Sequence, residues 1–126
     1  MSWQQYVDYQ LLGSRKVSKA AILGLNGGVW AISEGFQLSS EEQNAVVSAF
    51  QNTSQTQAKG LKLNGQKYFA VQVSNSSIYL KKGANGAIIV KTTQTAVVAV
   101  YESPIQQAES APVVEGLGDY LRSNGF

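Results

Sequence analysis

The sequence contains no cysteine and no histidine among its 126 residues. The first absence removes disulfide frameworks, thiolate zinc sites and thiol nucleophiles, and it suits a reducing compartment. The second removes the imidazole of hydrolytic triads, and together they leave no soft transition-metal site. Long apolar runs are missing too. No stretch approaches the roughly 18 residues that span a bilayer, so no transmembrane segment is expected. The polar and aromatic N-terminus does not read as a secretory leader, and the chain is expected to be cytoplasmic.

Acid–base machinery is also sparse. The eight acids include Glu41-Glu42 at a helix start, which the helix dipole explains, and Asp119 beside Tyr120; no pair is placed for general acid and base work. The glycine-rich GLNGG lacks the lysine and following hydroxyl of a phosphate loop and reads as a turn. The expectation is a non-enzymatic protein without cofactor or metal. A net charge of only +2 argues against bulk nucleic-acid binding. That mean hides an uneven distribution: six lysines and no acid from Lys59 to Lys91, four acids and no base from Glu102 to Asp119. Scattered lysines that solvate strand edges are the simplest account of the basic stretch.

What is present reads as one domain over 1–126, long enough for a self-sufficient core. LGLNGGVWA, LKLNGQKYFAVQV and KKGANGAIIVK each set Asn-Gly between strand-forming runs, the strongest short-range hairpin signal. Three hairpins and a further turn at Thr92 to Gln94 predict six to seven antiparallel strands, the first over Ala20 to Leu25 and the last over Thr95 to Tyr101. AILGL, AIIV and TAVVAVY are nearly continuous apolar runs, as in strands buried on both faces.

Three segments are available as cover. Ser39-Ser40-Glu41-Glu42 caps a middle helix ending near Gln51, with Ala45, Val46, Ala49 and Phe50 as its apolar stripe. A last helix is expected from about Glu109, with Pro112 in its first turn and Val113, Val114, Leu117 and Leu121 inward. An opening helix would place Trp3, Tyr6, Val7 and Gln10 on one face. The polar QNTSQTQ after Phe50 reads as a loop. The predicted fold is an α/β sandwich with both terminal helices on one sheet face and the middle helix on the other.

Trp3 and Tyr6 alone read as staples over the sheet. If the terminal helices lie side by side, however, Trp3, Tyr6, Trp30, Tyr120 and Phe126 form one partly exposed strip. Flat rings with N–H and O–H donors are what an extended polyproline ligand needs, because its rings stack and its carbonyls accept.

SWQQYVD, AAILGLNGGVWA, NGQKYFAV, SIYLKKG, IIVKTTQT and VVEGLGDYLRSNGF, in that order and spacing, resemble the profilin family nearly end to end, its amoebal and fungal members most closely. The resemblance implies a cytoskeletal regulator that binds actin monomers, proline-rich proteins such as formins, and phosphoinositide head groups. By position it assigns polyproline contact to Trp3, Tyr6, Trp30, Tyr120, Leu121 and Phe126. Actin contact falls on Lys67, Tyr79, Lys81, Lys82, Lys91 and Glu115. Actin is acidic, so lysines there would speed encounter and fix orientation.

The sequence also departs from that pattern. Where many relatives read DDRSIYGKKG it has SNSSIYLKKG, so an arginine is replaced by Ser76 and a glycine by Leu80. Where EKLADYL is usual it has EGLGDYL, with Gly116 in place of a lysine. A serine cannot make a bidentate guanidinium contact, and each helix glycine costs about 1 kcal/mol of propensity. These changes predict an intact polyproline site with weaker actin binding, or in the alternative a polyproline and phosphoinositide adaptor with little actin binding. A lipid-reading module built on the lysines, and a trafficking scaffold on a similar sandwich, are the other readings.

Overall fold

The computed structural model describes residues 2–126. Seven antiparallel strands form one sheet: β1 (Lys19–Gly24), β2 (Val29–Ile32), β3 (Leu61–Leu63), β4 (Gln66–Val73), β5 (Ser77–Lys82), β6 (Asn85–Lys91) and β7 (Thr95–Tyr101). Their spatial order is β2-β1-β7-β6-β5-β4-β3, so the first hairpin closes onto the last strand. Helix α1 (Trp3–Gln5) continues as a π-helical segment, Tyr6–Leu11, and a short 3-10 turn, Leu12–Ser14; then come α2 (Ser40–Ala49), α3 (Thr53–Lys59) and α4 (Gln107–Ser123).

The doubly buried strands have a simple cause. Along β7, Val97, Ala99 and Tyr101 face the core under the terminal helices, while Ala96, Val98 and Val100 face the core under α2. With a side-chain period of two and cover on both sides, every residue of this strand is buried.

Four local expectations are corrected by the structure. The 85–86 Asn-Gly does not make its hairpin turn. Lys82 pairs with Asn85, so Gly83-Ala84 turns the chain and Gly86 sits within β6 opposite Tyr101. A Cβ on Gly86 would collide with the Tyr101 hydroxyl, and this glycine is there to let the ring lie across the strand. The 64–65 pair does turn, with both residues at positive φ, and buried Glu42 accepts from both of their N–H groups, fixing the β3–β4 hairpin to the start of α2.

The loop read at QNTSQTQ is largely the helix α3. It has no apolar stripe to announce it, but the Asn52 side chain caps it and the buried Thr56 hydroxyl donates to the Ala49 carbonyl. Helix α4 begins two residues early because Gln106 and Glu109 form a reciprocal cap, which places Pro112 in the second turn. Finally, the π-helical segment carries Leu11 into the core behind Tyr6 and Val7, and Gln10 is exposed. A 3.6-residue period pairs Val7 with Gln10 and Leu11 alike; the wider turn selects Leu11.

Candidate functional site

The two ends of the chain meet over β1, β2 and β7. Gln4 fixes the opening helix to the outer edge of β2: its side-chain amide donates to the Ile32 carbonyl (2.9 Å) and accepts from the Ile32 N–H (3.3 Å). At the other end, the Phe126 N–H donates to the Leu121 carbonyl, and the Phe126 main-chain oxygen accepts from the Gln94 N–H and the Thr92 hydroxyl. Both ends are thereby pinned to the sheet.

Between them the rings interlock. Trp3 lies 5.0 Å from Trp30, 5.4 Å from Phe126 in an edge-to-face pair, and 5.7 Å from Tyr6; Tyr6 lies 6.2 Å from Tyr120. Each such pair is worth about 0.5–1.5 kcal/mol beyond its buried area. The strip is also open to solvent, with Trp30 38%, Tyr120 53% and Phe126 40% exposed. Tyr6 is nearly covered; burial first, then a hydrogen bond with Tyr120, push its phenol above the usual value. Leu121, assigned to the same ligand, has no exposed surface and lies in the core cluster that includes Tyr6.

Trp30 reaches the strip through an irregularity. Ala31 pairs with Ile22 but Val29 pairs with Leu23, so Trp30 is an extra residue in β2. Simple alternation would put it on the face of Ile32, which packs against the core under α2. The bulge turns it toward Trp3. Its indole then lies over Gly24, where a Cβ would sit 2.5 Å from the ring nitrogen. Gly24 and Gln4 are supporting residues that the sequence reading missed, although a glycine inside an apolar strand is itself a sign of close approach.

The residues assigned to actin divide. Tyr79 and Lys81 lie on the face of β5 that no helix covers, and Lys67 shares that face on β4. Glu115 projects from α4 to its border, its two carboxylate oxygens accepting from the Tyr79 hydroxyl (2.6 Å) and the Ser77 hydroxyl (3.1 Å). Burial and this carboxylate raise the Tyr79 phenol far above its usual value. Lys82 does not join them: alternation puts it on the opposite face, where it lines a recess with Phe36, Leu63 and Tyr68. Lys91 likewise falls on the Ile89 side of β6.

The same uncovered face carries three residues not anticipated. Phe69, 66% exposed, stands directly opposite Lys81, and bulged Val71, 53% exposed, follows it. Lys62 stands directly opposite Lys67, a like-charge pair that costs stability. None of the six lysines from Lys59 to Lys91 joins an ion pair among the described residues. Alternation from Lys67 puts Phe69 and Val71 on this face, and the bulge reverses the pattern only from Gln72, which pairs with Tyr79. Of the departures, Ser76 is exposed in the β4–β5 turn, Leu80 is wholly interred under α2, and Gly116 is exposed on α4.

Comparison with known proteins agrees with this geometry over the whole chain. The family model for profilin matches residues 1–126. Profilin-1 of Dictyostelium discoideum is 46% identical, with all of both chains covered. The solved structure of Acanthamoeba castellanii profilin IA superposes with a TM-score of 0.96 at 45% identity, covering 99% of this chain and 100% of that one. Mouse profilin IIa, solved in complex with a double repeat from the FH1 domain of mDia1, shares the fold at a TM-score of 0.82 and 22% identity, with 100% of both chains covered. The seven-stranded sheet, the paired terminal helices and the full-length matches agree: the chain belongs to the profilin family of non-enzymatic, actin-binding proteins.

Proposed function

We propose that this chain is a cytoplasmic regulator of actin assembly that holds an actin monomer on the uncovered β4–β5 face and a proline-rich segment on the ring strip. The observation that carries the proposal is the packed row Trp3, Trp30, Phe126 and Tyr120, partly open to solvent and seated against the nearly covered Tyr6. Such a row is chemically suited to a polyproline helix, which arrives already extended and loses little conformational freedom. The FH1 complex of the mouse relative supports the same ligand class, with formins as candidate partners.

The second surface suits a large acidic partner. Phe69 and Val71 provide an apolar centre, and Lys62, Lys67 and Lys81 provide an unpaired basic border. Strands β2 and β4 are five positions apart in the sheet order, roughly 24 Å at the usual ~4.8 Å strand spacing. Both ligands can therefore be held together, and an actin monomer can be carried to a site marked by proline-rich sequence. Actin affinity is expected to be lower than is usual for the family, because Ser76 and Gly116 supply no cation. The same lysines suit phosphoinositide head groups, each worth about 1 kcal/mol near an anionic surface, as a competing activity.

The test is a titration of intrinsic tryptophan fluorescence with decaproline beside an actin-monomer sequestration assay. Saturable proline binding with modest sequestration is expected. Tight sequestration without any response to proline would overturn the proposal. For the lipid activity, retention on phosphatidylinositol-bisphosphate vesicles that fades with salt and is relieved by actin is expected.

A further inference from the structure

We infer that the recess beside Lys82 binds a free α-amino acid with a short aliphatic side chain, at a site separate from both surfaces described above. The recess, ≈ 220 Å³, lies on the α2 face at one end of the sheet. Strand register sets a row of polar residues along it. Phe69 pairs with Lys81, so Tyr68 of β4 stands beside Lys82 of β5, and Lys82 pairs with Asn85 of β6. Glu102, one residue past the Tyr101–Gly86 pair, stands beside Asn85 in turn.

One hydroxyl in this row has no partner. Tyr68 is 6% exposed, and among the described residues its phenol makes no hydrogen bond. The hydroxyls of Tyr101 and Ser110 are also unpartnered, but they are sealed from solvent. That of Tyr68 is not sealed, and it opens into the recess. Burial, then the Glu102 carboxylate, hold this phenol above its usual pKa, so it stays a donor. A largely buried polar group without a protein partner calls for one from outside.

The neighbours define the charge of that partner. Lys82 joins no ion pair among the described residues, and Asn85 spends its carbonyl oxygen on the Ser103 N–H, which leaves its amide donors. Tyr68, Lys82 and Asn85 thus converge as donors suited to a carboxylate. The Glu102 end is opposite in sign. Lys19 stands 3.9 Å from it, beyond hydrogen-bond length, so this carboxylate can still accept from an ammonium. A polyanion would meet Glu102 and a simple cation would meet two lysines, whereas a zwitterion satisfies both ends. Lys82 and Glu102 are two strands apart, about 10 Å at the backbone, a span that their side chains shorten from either side. Phe36, Leu63 and Val100 supply an apolar floor for the aliphatic group. At roughly 30 Å³ per water, the recess has room for about seven water-sized groups, close to the size of valine.

The experiment titrates the protein with valine, with isovalerate, which lacks the amino group, and with isobutylamine, which lacks the carboxylate, by calorimetry and NMR shifts. Valine is expected to bind at least about tenfold more tightly than either, in line with one charge-assisted hydrogen bond lost in each analogue. Tyr68→Phe keeps the ring and removes only an unpartnered hydroxyl, so folding is not at risk, and it should weaken valine about tenfold. Glu102→Gln should erase the preference for valine over isovalerate. Decaproline affinity should stay within about twofold in both variants, because the recess and the ring strip share no residue. No binding of valine, equal affinity for valine and isovalerate, or tighter binding of inorganic phosphate than of valine overturns the assignment. So does a valine affinity untouched by Tyr68→Phe, or a preference that survives Glu102→Gln.

Discussion

Two strands of this sheet each carry one residue too many, and the extra residues end differently. In β2 it is Trp30, which lands between Trp3 and Gly24 and completes a cluster of rings. In β4 it is Val71, which stays in solvent beside Phe69 with no element over it. The first bulge turns Trp30 against the alternation of its strand, whereas Val71 keeps the face of Phe69 and its bulge instead sends Val73 to the core under α2; only Trp30 is met by the chain itself. The ring strip is therefore assembled before any ligand arrives. The β4–β5 face is a flat surface whose apolar centre is completed only by a partner.

That contrast sets how the two surfaces respond to damage. The largest effect is expected from Gly24→Val, which drives a side chain into the Trp30 indole and the Gly27 carbonyl. Decaproline affinity should fall at least tenfold and stability by about 1–3 kcal/mol, read by fluorescence and urea unfolding, because strip and core are one structure. Phe69→Ser should instead lower actin affinity by roughly tenfold while the unfolding midpoint moves by less than about 0.5 kcal/mol. If Phe69→Ser proved as destabilising as Gly24→Val, the distinction between the two surfaces would collapse.

Tyr79 tests the border between them. Its raised phenol pKa, due first to burial and then to Glu115, means that the folded state holds its proton more tightly than the unfolded state does. The resulting stability is fully present below the unfolded value of about 10 and is lost as pH rises above it. The urea midpoint should thus decline in alkali, and Tyr79→Phe should make that decline shallower. The smallest effect is reserved for Gly116→Lys. It should tighten actin binding about twofold to threefold, measured by sequestration at low salt, and a null result would acquit Gly116 of weakening that surface.

The two surfaces also differed in legibility. Trp3 and Tyr6 share a helical face and the glycines after Asn26 announce the hairpin that carries Trp30, so the strip's members were legible, but the bulge that aims Trp30 at Trp3 was not. The sheet was legible for the same reason, since patterns of period two and turn chemistry act over a few residues. The residues that depend on long-range register were not legible. Lys82 and Lys91 looked equivalent to Lys81 in a list of charges, yet strand alternation sends them to the other face. Nor does composition reveal that Gly86 answers the Tyr101 ring across a strand pair, and not a turn. Helix α3 is held by a cap and one buried hydroxyl, contacts that no apolar periodicity announces.

The π-helical segment from Tyr6 to Leu11 has a consequence for how the strip can be altered. Its loop of backbone holds one residue more than an ordinary helical turn, so removing any single residue within it would restore the commoner winding. Because the wider turn already absorbs the extra residue, everything before the deletion would keep nearly its present orientation relative to Leu11, and the Trp3 indole would stay among its neighbours. The aim of that tryptophan is set by winding and residue count together, so a change in one is harmless only when the other compensates.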